Sequence, residues 1–300
     1  MEGFLTVKEA VNRYIEGCKG KTEAENGRVF GKAVMAGAMI AMGAAASSVA
    51  AHTIPDVGLA RLAAAAVFPV GLMMVILLGA ELFTGDCLMV MSVSAGKQSL
   101  RNVIRVLAVV YAGNFVGAAV LAWLVSMSGQ LDYSAGMLGA YTIKVALGKV
   151  NLSFSQGVVS GILCNILVCA AVLMAMCAKD VTGKLLAAFF TIMLFVTAGF
   201  EHCVANMYYI TAGLLAKQNA AYVSLAMETY GISGAQLSGL NVSSFLTGNL
   251  LPVTIGNIIG GVVCIGLPLY YLNTKKEKGL AKEGMNHDVI YSGNIAGTVH

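Results

Sequence analysis

The sequence Leu77-Leu78-Gly79-Ala80-Glu81-Leu82-Phe83-Thr84-Gly85-Asp86 places two carboxylates, a threonine and a glycine between the apolar runs 66–80 and 87–92, and a second glycine near the end of the first run. Apolar flanks of this kind exclude a loop in water, whereas the glycines and carboxylates disfavour an uninterrupted helix that faces lipid. The stretch therefore predicts a membrane helix that stops and restarts inside the bilayer, with the break lining a cavity within the protein. We interpret this break as the centre of a transport path.

The composition of the 300-residue chain is typical of an integral membrane protein, with 58% hydrophobic residues, 11% charged residues and a mean hydropathy of +0.78. The net charge is +4, but the basic residues are spread over short loops, so they indicate membrane topology and no nucleic-acid partner. The seven cysteines contain no CxxC pair and are expected to be reduced packing residues. Only His202-Cys203 comes near a ligand pair, so no metal or cofactor is predicted.

Six apolar segments are long enough to cross a bilayer at about 1.5 Å per residue, and the second and fifth are interrupted. The predicted spans are residues 29–51, 63–80 resuming at 87–95, 102–128, 154–178, 185–199 resuming at 207–216, and 248–272. The polar stretch around Lys144 and the weakly polar residues 217–247 are expected to connect spans. The chain is therefore predicted to be an all-α membrane protein with six transmembrane helices.

The two halves of the chain share one order of features: a continuous helix, a helix broken by acidic residues, and a helix with Gly-Asn-x-x-Gly at residues 113–117 or 256–260. Each half has three spans, an odd number, so the second half enters the membrane from the opposite side. This arrangement predicts an inverted three-helix repeat whose two breaks lie near the midplane. The second break contains His202, and we expect His202 and Thr84 to face one pathway.

The placement of Lys and Arg predicts that both termini are cytoplasmic, because basic residues predominate at the two ends and in the second and fourth loops. Residues 1–28 are predicted to form an amphipathic helix at that face, which either packs on the bundle and headgroups or gates the pore. Residues 29–272 form the predicted channel domain. Residues 273–300 form a predicted cytoplasmic tail.

The same residues resemble the formate/nitrite transporter family. Its two signatures are matched by residues 78–85 and by Gly161-Ile162-Leu163-Cys164-Asn165-Ile166-Leu167-Val168-Cys169-Ala170, with further similarity at 199–207 and 252–261. Ala170 departs from the pattern, where a larger aliphatic residue is expected. The resemblance implies an aquaporin-like protomer in the inner membrane, five of which form a ring, each with a pore for a small monovalent anion. From overall resemblance we favour the hydrosulfide ion channel branch.

The resemblance also implies roles for individual residues, with Thr84 and His202 meeting at the pore centre. The implied apolar constrictions are Leu72, Leu82 and Val168 on the cytoplasmic side and Phe68 and Phe195 on the outer side. The polar residues implied along the vestibule and pore are Lys149, Asn165 and Asn257. Lys149 either attracts anions or anchors its helix end at the headgroups, and these alternatives remain open.

Ionisable residues inside a membrane are costly and usually line functional pathways, which favours a pore role for His202. Its ring is either a neutral donor or a group that briefly shares a proton with a weak-acid anion. The carboxylates Glu81, Asp86 and Glu201 would repel anions in the pore. We instead expect them to support the helix breaks by accepting backbone N–H groups.

These features predict a passive channel for small monovalent anions such as hydrosulfide, formate and nitrite, with the lipid bilayer as its surroundings. A proton-coupled formate/nitrite transporter is the alternative. A neutral-solute channel of the aquaporin type is disfavoured because the breaks lack paired Asn-Pro-Ala motifs. An intramembrane enzyme using Glu201, His202 or Cys203 would lack a metal-ligand set and an oriented third partner, so no enzyme is predicted.

Overall fold

The computed structural model describes residues 3–274, and this part of the chain contains helices and no strand. Within it, six helices are long and apolar enough to cross a membrane. They are Asn26–Ala51, Val57–Leu78, Leu100–Met127, Phe154–Cys177, Val181–Ala198 and Ser244–Thr274. This count confirms the predicted six-span fold. All but the first two residues of the predicted tail, 273–300, lie outside the described residues.

The first half of the chain contains an N-terminal helix, a continuous span, a broken span and a second continuous span. Its helices are α1 (Val7–Glu23), α2 (Asn26–Ala51), α3 (Val57–Val67), α4 (Val70–Leu78), α5 (Phe83–Asp86), α6 (Val90–Ser94) and α7 (Leu100–Met127). A 3₁₀ turn, Cys87–Met89, joins α5 to α6. Pro69 separates α3 from α4, since its ring cannot continue the hydrogen bonding of a helix interior.

The second half repeats this order after an extra helix. Its helices are α8 (Met137–Val150), α9 (Phe154–Cys177), α10 (Val181–Ala198), α11 (Cys203–Ala216), α12 (Ala220–Tyr230), α13 (Gly234–Gly239), α14 (Leu251–Ile259) and α15 (Leu267–Thr274). Two π-helical segments, Ser244–Leu250 and Gly260–Gly266, extend α14 in both directions into the sixth span.

Helix α8 corrects one sequence prediction, which treated the region around Lys144 as a polar connection. Ile143, Leu147 and Val150 are buried on one face of the helix, at i, i+4 and i+7. Lys144 and Lys149 obscure this pattern in the sequence. Helix α12 likewise lies inside the region predicted to be a weakly polar connection.

Small residues bring the continuous helices of each half into backbone contact. A Cβ atom on Gly117 of α7 would overlap the carbonyl oxygen of Val34 in α2, and one on Gly256 of α14 would overlap that of Val158 in α9. Close approach at small residues is the usual basis of helix packing in membranes. The predicted Gly-Asn-x-x-Gly faces therefore occupy equivalent interfaces in the two halves.

Both predicted helix breaks are present. Helix α4 ends at Gly79 with φ of 65°, and α10 ends at Gly199 with φ of 74°, a left-handed conformation that favours glycine. Three residues later in each half the chain is still extended, at Leu82 and His202, before the next helix begins. The second and fifth spans are thus broken, as predicted for an inverted repeat.

Helix α1 lies across one end of this bundle and covers the first break. The Tyr14 hydroxyl donates to the Gly85 carbonyl at 3.0 Å. The Leu5 N–H donates to the Cys177 carbonyl at 2.7 Å, next to the fourth loop. Lys97 in the second loop lies 3.8 Å from Glu16 of α1. The N-terminal helix and the two basic loops therefore occupy the same face of the protein.

Candidate pore site between the two broken helices

Each helix that restarts after a break is held by an asparagine from a continuous helix. Asn114 of α7 accepts the backbone N–H of Phe83 at 2.9 Å through its Oδ1 atom. Asn257 of α14 accepts the N–H of Cys203 in the same way, also at 2.9 Å. Phe83 and Cys203 are the first residues of α5 and α11, whose N–H groups have no partner within their own helix.

The amide nitrogens of these two asparagines complete the same network in both halves. Asn114 Nδ2 donates to the carbonyls of Ala33 and Glu81 at 2.8 and 2.9 Å. Asn257 Nδ2 donates to the carbonyls of Gly161 and Glu201 at 2.8 and 3.0 Å. One neutral side chain thus satisfies three backbone groups at each break, without placing an unpaired charge in an apolar environment.

We expected the carboxylates Glu81, Asp86 and Glu201 to accept backbone N–H groups at the breaks. The structure corrects this expectation, because asparagines accept the first N–H group of each restarting helix. Lys21 of α1 lies 2.6 Å from Glu81 and 2.5 Å from Asp86. Lys149 of α8 lies 3.1 Å from Glu201. An ammonium partner is available at each site, and a buried carboxylate that is paired avoids the large cost of an isolated buried charge.

Thr84 and His202 meet between the two breaks, as the family resemblance implied. Thr84 is 0% exposed and His202 is 3% exposed. The Thr84 Oγ1 atom lies 2.9 Å from His202 Nε2. His202 Nδ1 accepts the Ala205 N–H at 3.1 Å, so a neutral ring carries its hydrogen on Nε2 and donates it to Thr84. The hydroxyl hydrogen of Thr84 is then available for a further acceptor.

Two cavities approach this pair from opposite sides. The first, which we call the α1 cavity, has a volume of about 690 Å³ and reaches Leu72 and Leu82. The second, the His202 cavity, has a volume of about 160 Å³ and reaches His202 past Phe68 and Phe195. The two phenylalanine rings meet edge to face, with centroids 5.7 Å apart. Thr84 is enclosed between the two cavities.

The α1 cavity is predominantly basic. Its charged lining residues are Arg13, Lys21, Arg28, Lys32, Lys184, Glu81 and Asp86. Burial lowers the pKa of Lys21, but the carboxylates of Asp86 and Glu81 more than reverse this, so its pKa lies above the ordinary value. Lys21 is therefore an ammonium at neutral pH. An anion entering this cavity meets more positive than negative charge.

Lys149 lines the His202 cavity, and its ammonium is paired with Glu201, which is not among the lining residues. Lys149 Nζ contacts both oxygens of Glu201, at 3.1 and 3.2 Å, and lies 5.1 Å from the centroid of the Tyr209 ring. Asn206 Nδ2 donates to Glu201 Oε2 at 2.6 Å. The negative charge of Glu201 is thus compensated by a partner on another helix.

Three predicted site residues lie away from the cavities. Asn165 donates to the Thr84 carbonyl at 3.2 Å and to the Asn257 carbonyl at 2.6 Å, so its side chain links the first break to α14. Asn257 is committed to the backbone network described above. Val168 is buried and lines neither cavity. These placements differ from the expected pathway and constriction positions, since the side chains pack within the bundle.

Sequence reasoning missed two residues that build the site. Asn114 had a usable signal, because it occupies the same position in its Gly-Asn-x-x-Gly motif as Asn257. Lys21 had none, because it is one of several lysines in an N-terminal helix with alternating charges. Its role depends on how α1 folds over the first break.

Comparison with known proteins agrees with this architecture. A family model described as "Formate/nitrite transporter" matches residues 8–271. The formate channel FocA of Haemophilus influenzae is 39% identical over 217 residues, which are 72% of this chain and 75% of that protein. A probable formate transporter of Methanothermobacter thermautotrophicus is 33% identical over 274 residues, which are 85% of this chain and 92% of that protein.

A solved structure described as "Pentameric formate channel with formate bound" has the same fold. It superimposes with a TM-score of 0.74 at 32% sequence identity, covering 83% of this chain and 98% of the other.

Proposed function

Since the chain belongs to the formate/nitrite transporter family, we propose that it is a passive channel for small monovalent anions, with Thr84 and His202 at its pore centre. The family consists of transporters and channels and is not an enzyme family. The observation that carries the proposal is the Thr84–His202 hydrogen bond between two cavities that end at apolar side chains.

The physical basis of selectivity is the cost of dehydrating an anion at the apolar constrictions. Phe68, Phe195, Leu72 and Leu82 offer no hydrogen bonds, so an anion that passes them loses part of its hydration. The Thr84 hydroxyl lies immediately beyond them, and because it accepts the Nε2–H of His202 its own hydrogen can replace a lost water contact. Small anions of weak acids benefit most, because they can also cross the apolar region as the neutral acid.

Formate is the first substrate to test, because relatives in this family are formate channels. Nitrite and hydrosulfide share its single charge and small size, and hydrosulfide remains our preference from the sequence resemblance. By analogy with the pentameric relative, five protomers form the functional ring, each with its own pore. The exposed apolar faces of the spans then contact either lipid or a neighbouring protomer.

In the proposed orientation the protein lies in the inner membrane and the α1 cavity opens to the cytoplasm. Support comes from the grouping of the basic loops with α1 on one face, including Lys97 near Glu16 and the Arg105 contact with the Thr22 carbonyl. Positively charged segments are retained preferentially on the cytoplasmic side. The His202 cavity then opens to the outside.

The test is flux of formate, nitrite and hydrosulfide into proteoliposomes, measured side by side at two pH values. We expect saturable uptake that is lost when His202 and Thr84 are both replaced. Uptake that is unchanged in the double variant would reject the pore-site assignment. Collapse of wild-type uptake when the proton gradient is removed would show a proton-coupled transporter instead, and stopped-flow water flux without anion flux would show a neutral-solute channel.

A further inference from the structure

Arg61 of α3 contacts the end of the other broken span. Its Nη1 atom lies 3.4 Å from the Thr197 carbonyl oxygen and 3.3 Å from that of Ala198, the last two residues of α10. The carbonyls at a helix C-terminus carry partial negative charge, which would repel an approaching anion. The guanidinium group covers this end of α10 with a positive charge.

Gly199 makes room for this contact. A Cβ atom at position 199 would lie 2.5 Å from Arg61 Nη1 and 3.3 Å from Nη2. Its φ of 74° also favours glycine. Gly199 therefore both ends α10 and leaves space for the Arg61 guanidinium to pack directly against the break.

The contact lies at the mouth of the His202 cavity. Gly199, Ala64 and Tyr141 all line that cavity, and Ala64 is one helical turn after Arg61 in α3. Arg61 itself is exposed, so an anion can reach it from water before it reaches Phe68 and Phe195.

The guanidinium retains donors for a ligand. Arginine has five N–H donors in a planar fork, and both bonds described for Arg61 within residues 3–274 come from Nη1. The donors on Nε and Nη2 can form the paired contacts that match the two oxygens of a carboxylate. Lys149, which lines the cavity, is already paired with Glu201.

We propose that Arg61 is a capture site for small carboxylates at the mouth of the His202 cavity, holding the anion through two parallel hydrogen bonds before it enters the pore. This inference rests on the proposed function in one respect: the carboxylate that Arg61 binds is taken to be the anion that then passes through the channel. Its binding requires no flux. Capture raises the local anion concentration at the constriction, and it is weakened by salt because the site is exposed.

The flux test compares Arg61→Gln and Arg61→Lys in sealed vesicles of both orientations. For anions that enter through the His202 cavity, Arg61→Gln should raise the formate KM about threefold or more at low salt, with the maximal rate little changed. Arg61→Lys should impair formate more than hydrosulfide, because lysine keeps the charge and loses the fork. An unchanged KM in Arg61→Gln would overturn the proposal.

Lys144→Gln is the matched control. Lys144 is an exposed cation of the same end of the protein, 4.4 Å from the centroid of the Tyr230 ring and 5.9 Å from that of Tyr141. Arg61 instead contacts the end of α10 beside Gly199. Its removal makes the same change in net charge and should leave the KM unchanged. An equal effect of both variants would reject a specific site in favour of the general surface potential.

A binding measurement separates this site from the channel function. Formate at constant ionic strength should slow the modification of Arg61 by phenylglyoxal in the purified protein, read by mass spectrometry, and leave the labelling of the exposed Arg101 unchanged. Protection without any wild-type flux would retain the capture site and reject the channel. Equal labelling of Arg61 with and without formate would reject the capture site, whatever the flux.

Discussion

The hydroxyl oxygen of Thr84 lies 2.9 Å from Nε2 of His202, although 118 positions separate the two residues in the sequence. Each residue belongs to a different broken span, and the inverted repeat brings the two breaks to the same depth. Because Nδ1 of His202 is occupied by the Ala205 N–H, the hydrogen bonds run from the backbone of α11 to the ring and from the ring to Thr84. The direction of this chain leaves the hydroxyl hydrogen of Thr84 for a permeating anion.

Thr84→Val should reduce formate flux by about tenfold or more, because a hydrogen bond to a charged group contributes about 1.5–3 kcal/mol. Valine has nearly the same shape as threonine but cannot donate, so the packing around the break is retained. Thr84→Ser keeps the hydroxyl and is the control, for which we expect flux close to that of the wild type. The measurement is the initial rate in proteoliposomes, and equal rates for the valine and serine variants would contradict the role of the hydroxyl.

His202 should be a neutral imidazole with its hydrogen on Nε2 at neutral pH. The Ala205 N–H points at Nδ1, so a hydrogen on Nδ1 would face another donor and break the bond at the start of α11. Solid-state ¹⁵N NMR of the labelled protein in lipid distinguishes the two ring nitrogens. A protonated Nδ1 signal from His202 would contradict the assignment, and His202→Asn supplies the control spectrum without this ring.

Lys149→Gln should lower both stability and anion flux, because it leaves Glu201 without its ammonium partner at the His202 cavity. Removing one partner of a buried ion pair costs about 3–5 kcal/mol, and this pair is only partly exposed. The double variant Lys149→Gln/Glu201→Gln removes both charges and should recover part of the stability and flux. Thermal unfolding and formate uptake give the two readouts. A double variant no better than Lys149→Gln would show that the lysine acts independently of Glu201.

Asn114→Ala and Asn257→Ala should destabilise the protein to a similar extent, by at least about 2 kcal/mol each. Each substitution leaves the first N–H of a restarting helix unpaired and removes the asparagine bonds to two backbone carbonyls. Asn102→Ala, at an exposed position in the first turn of α7, should change stability by less than about 0.5 kcal/mol. The comparison uses denaturant unfolding of the purified protein. A large effect at only one of the two buried sites would contradict their structural equivalence.

Gly117→Ala should weaken the contact between α2 and α7, because the added Cβ would overlap the Val34 carbonyl oxygen. The helices must then separate, and overpacking of this kind costs about 1–3 kcal/mol. Gly148→Ala in α8 is the matched control, since a methyl group added there would meet no atom within 4 Å and alanine is the better helix former. We expect a lower midpoint of thermal unfolding for Gly117→Ala and an unchanged or higher one for Gly148→Ala. The opposite order would contradict the packing argument.

The six spans and the two breaks could be predicted because both depend on local properties of the chain. Long apolar segments have few alternatives to a membrane helix, and a glycine beside a carboxylate interrupts such a segment wherever it occurs. Helix α8 escaped prediction because Lys144 and Lys149 mask its apolar face, which is defined only by its packing in the bundle. The inverted repeat predicted that Thr84 and His202 face one pathway, and the family resemblance implied that they meet.

The sequence by itself thus determined the membrane class, the helix breaks and the shared pathway of Thr84 and His202. Only the tertiary structure decided which groups stabilise the breaks, because a carboxylate and an amide are both suitable partners for a free helix end. Lys21 reaches Asp86 across 65 positions, and Asn257 reaches the Cys203 N–H across 54. In the folded protein Lys21 forms ion pairs with Glu81 and Asp86. The side-chain amides of Asn114 and Asn257 bind the backbone of the restarting helices instead.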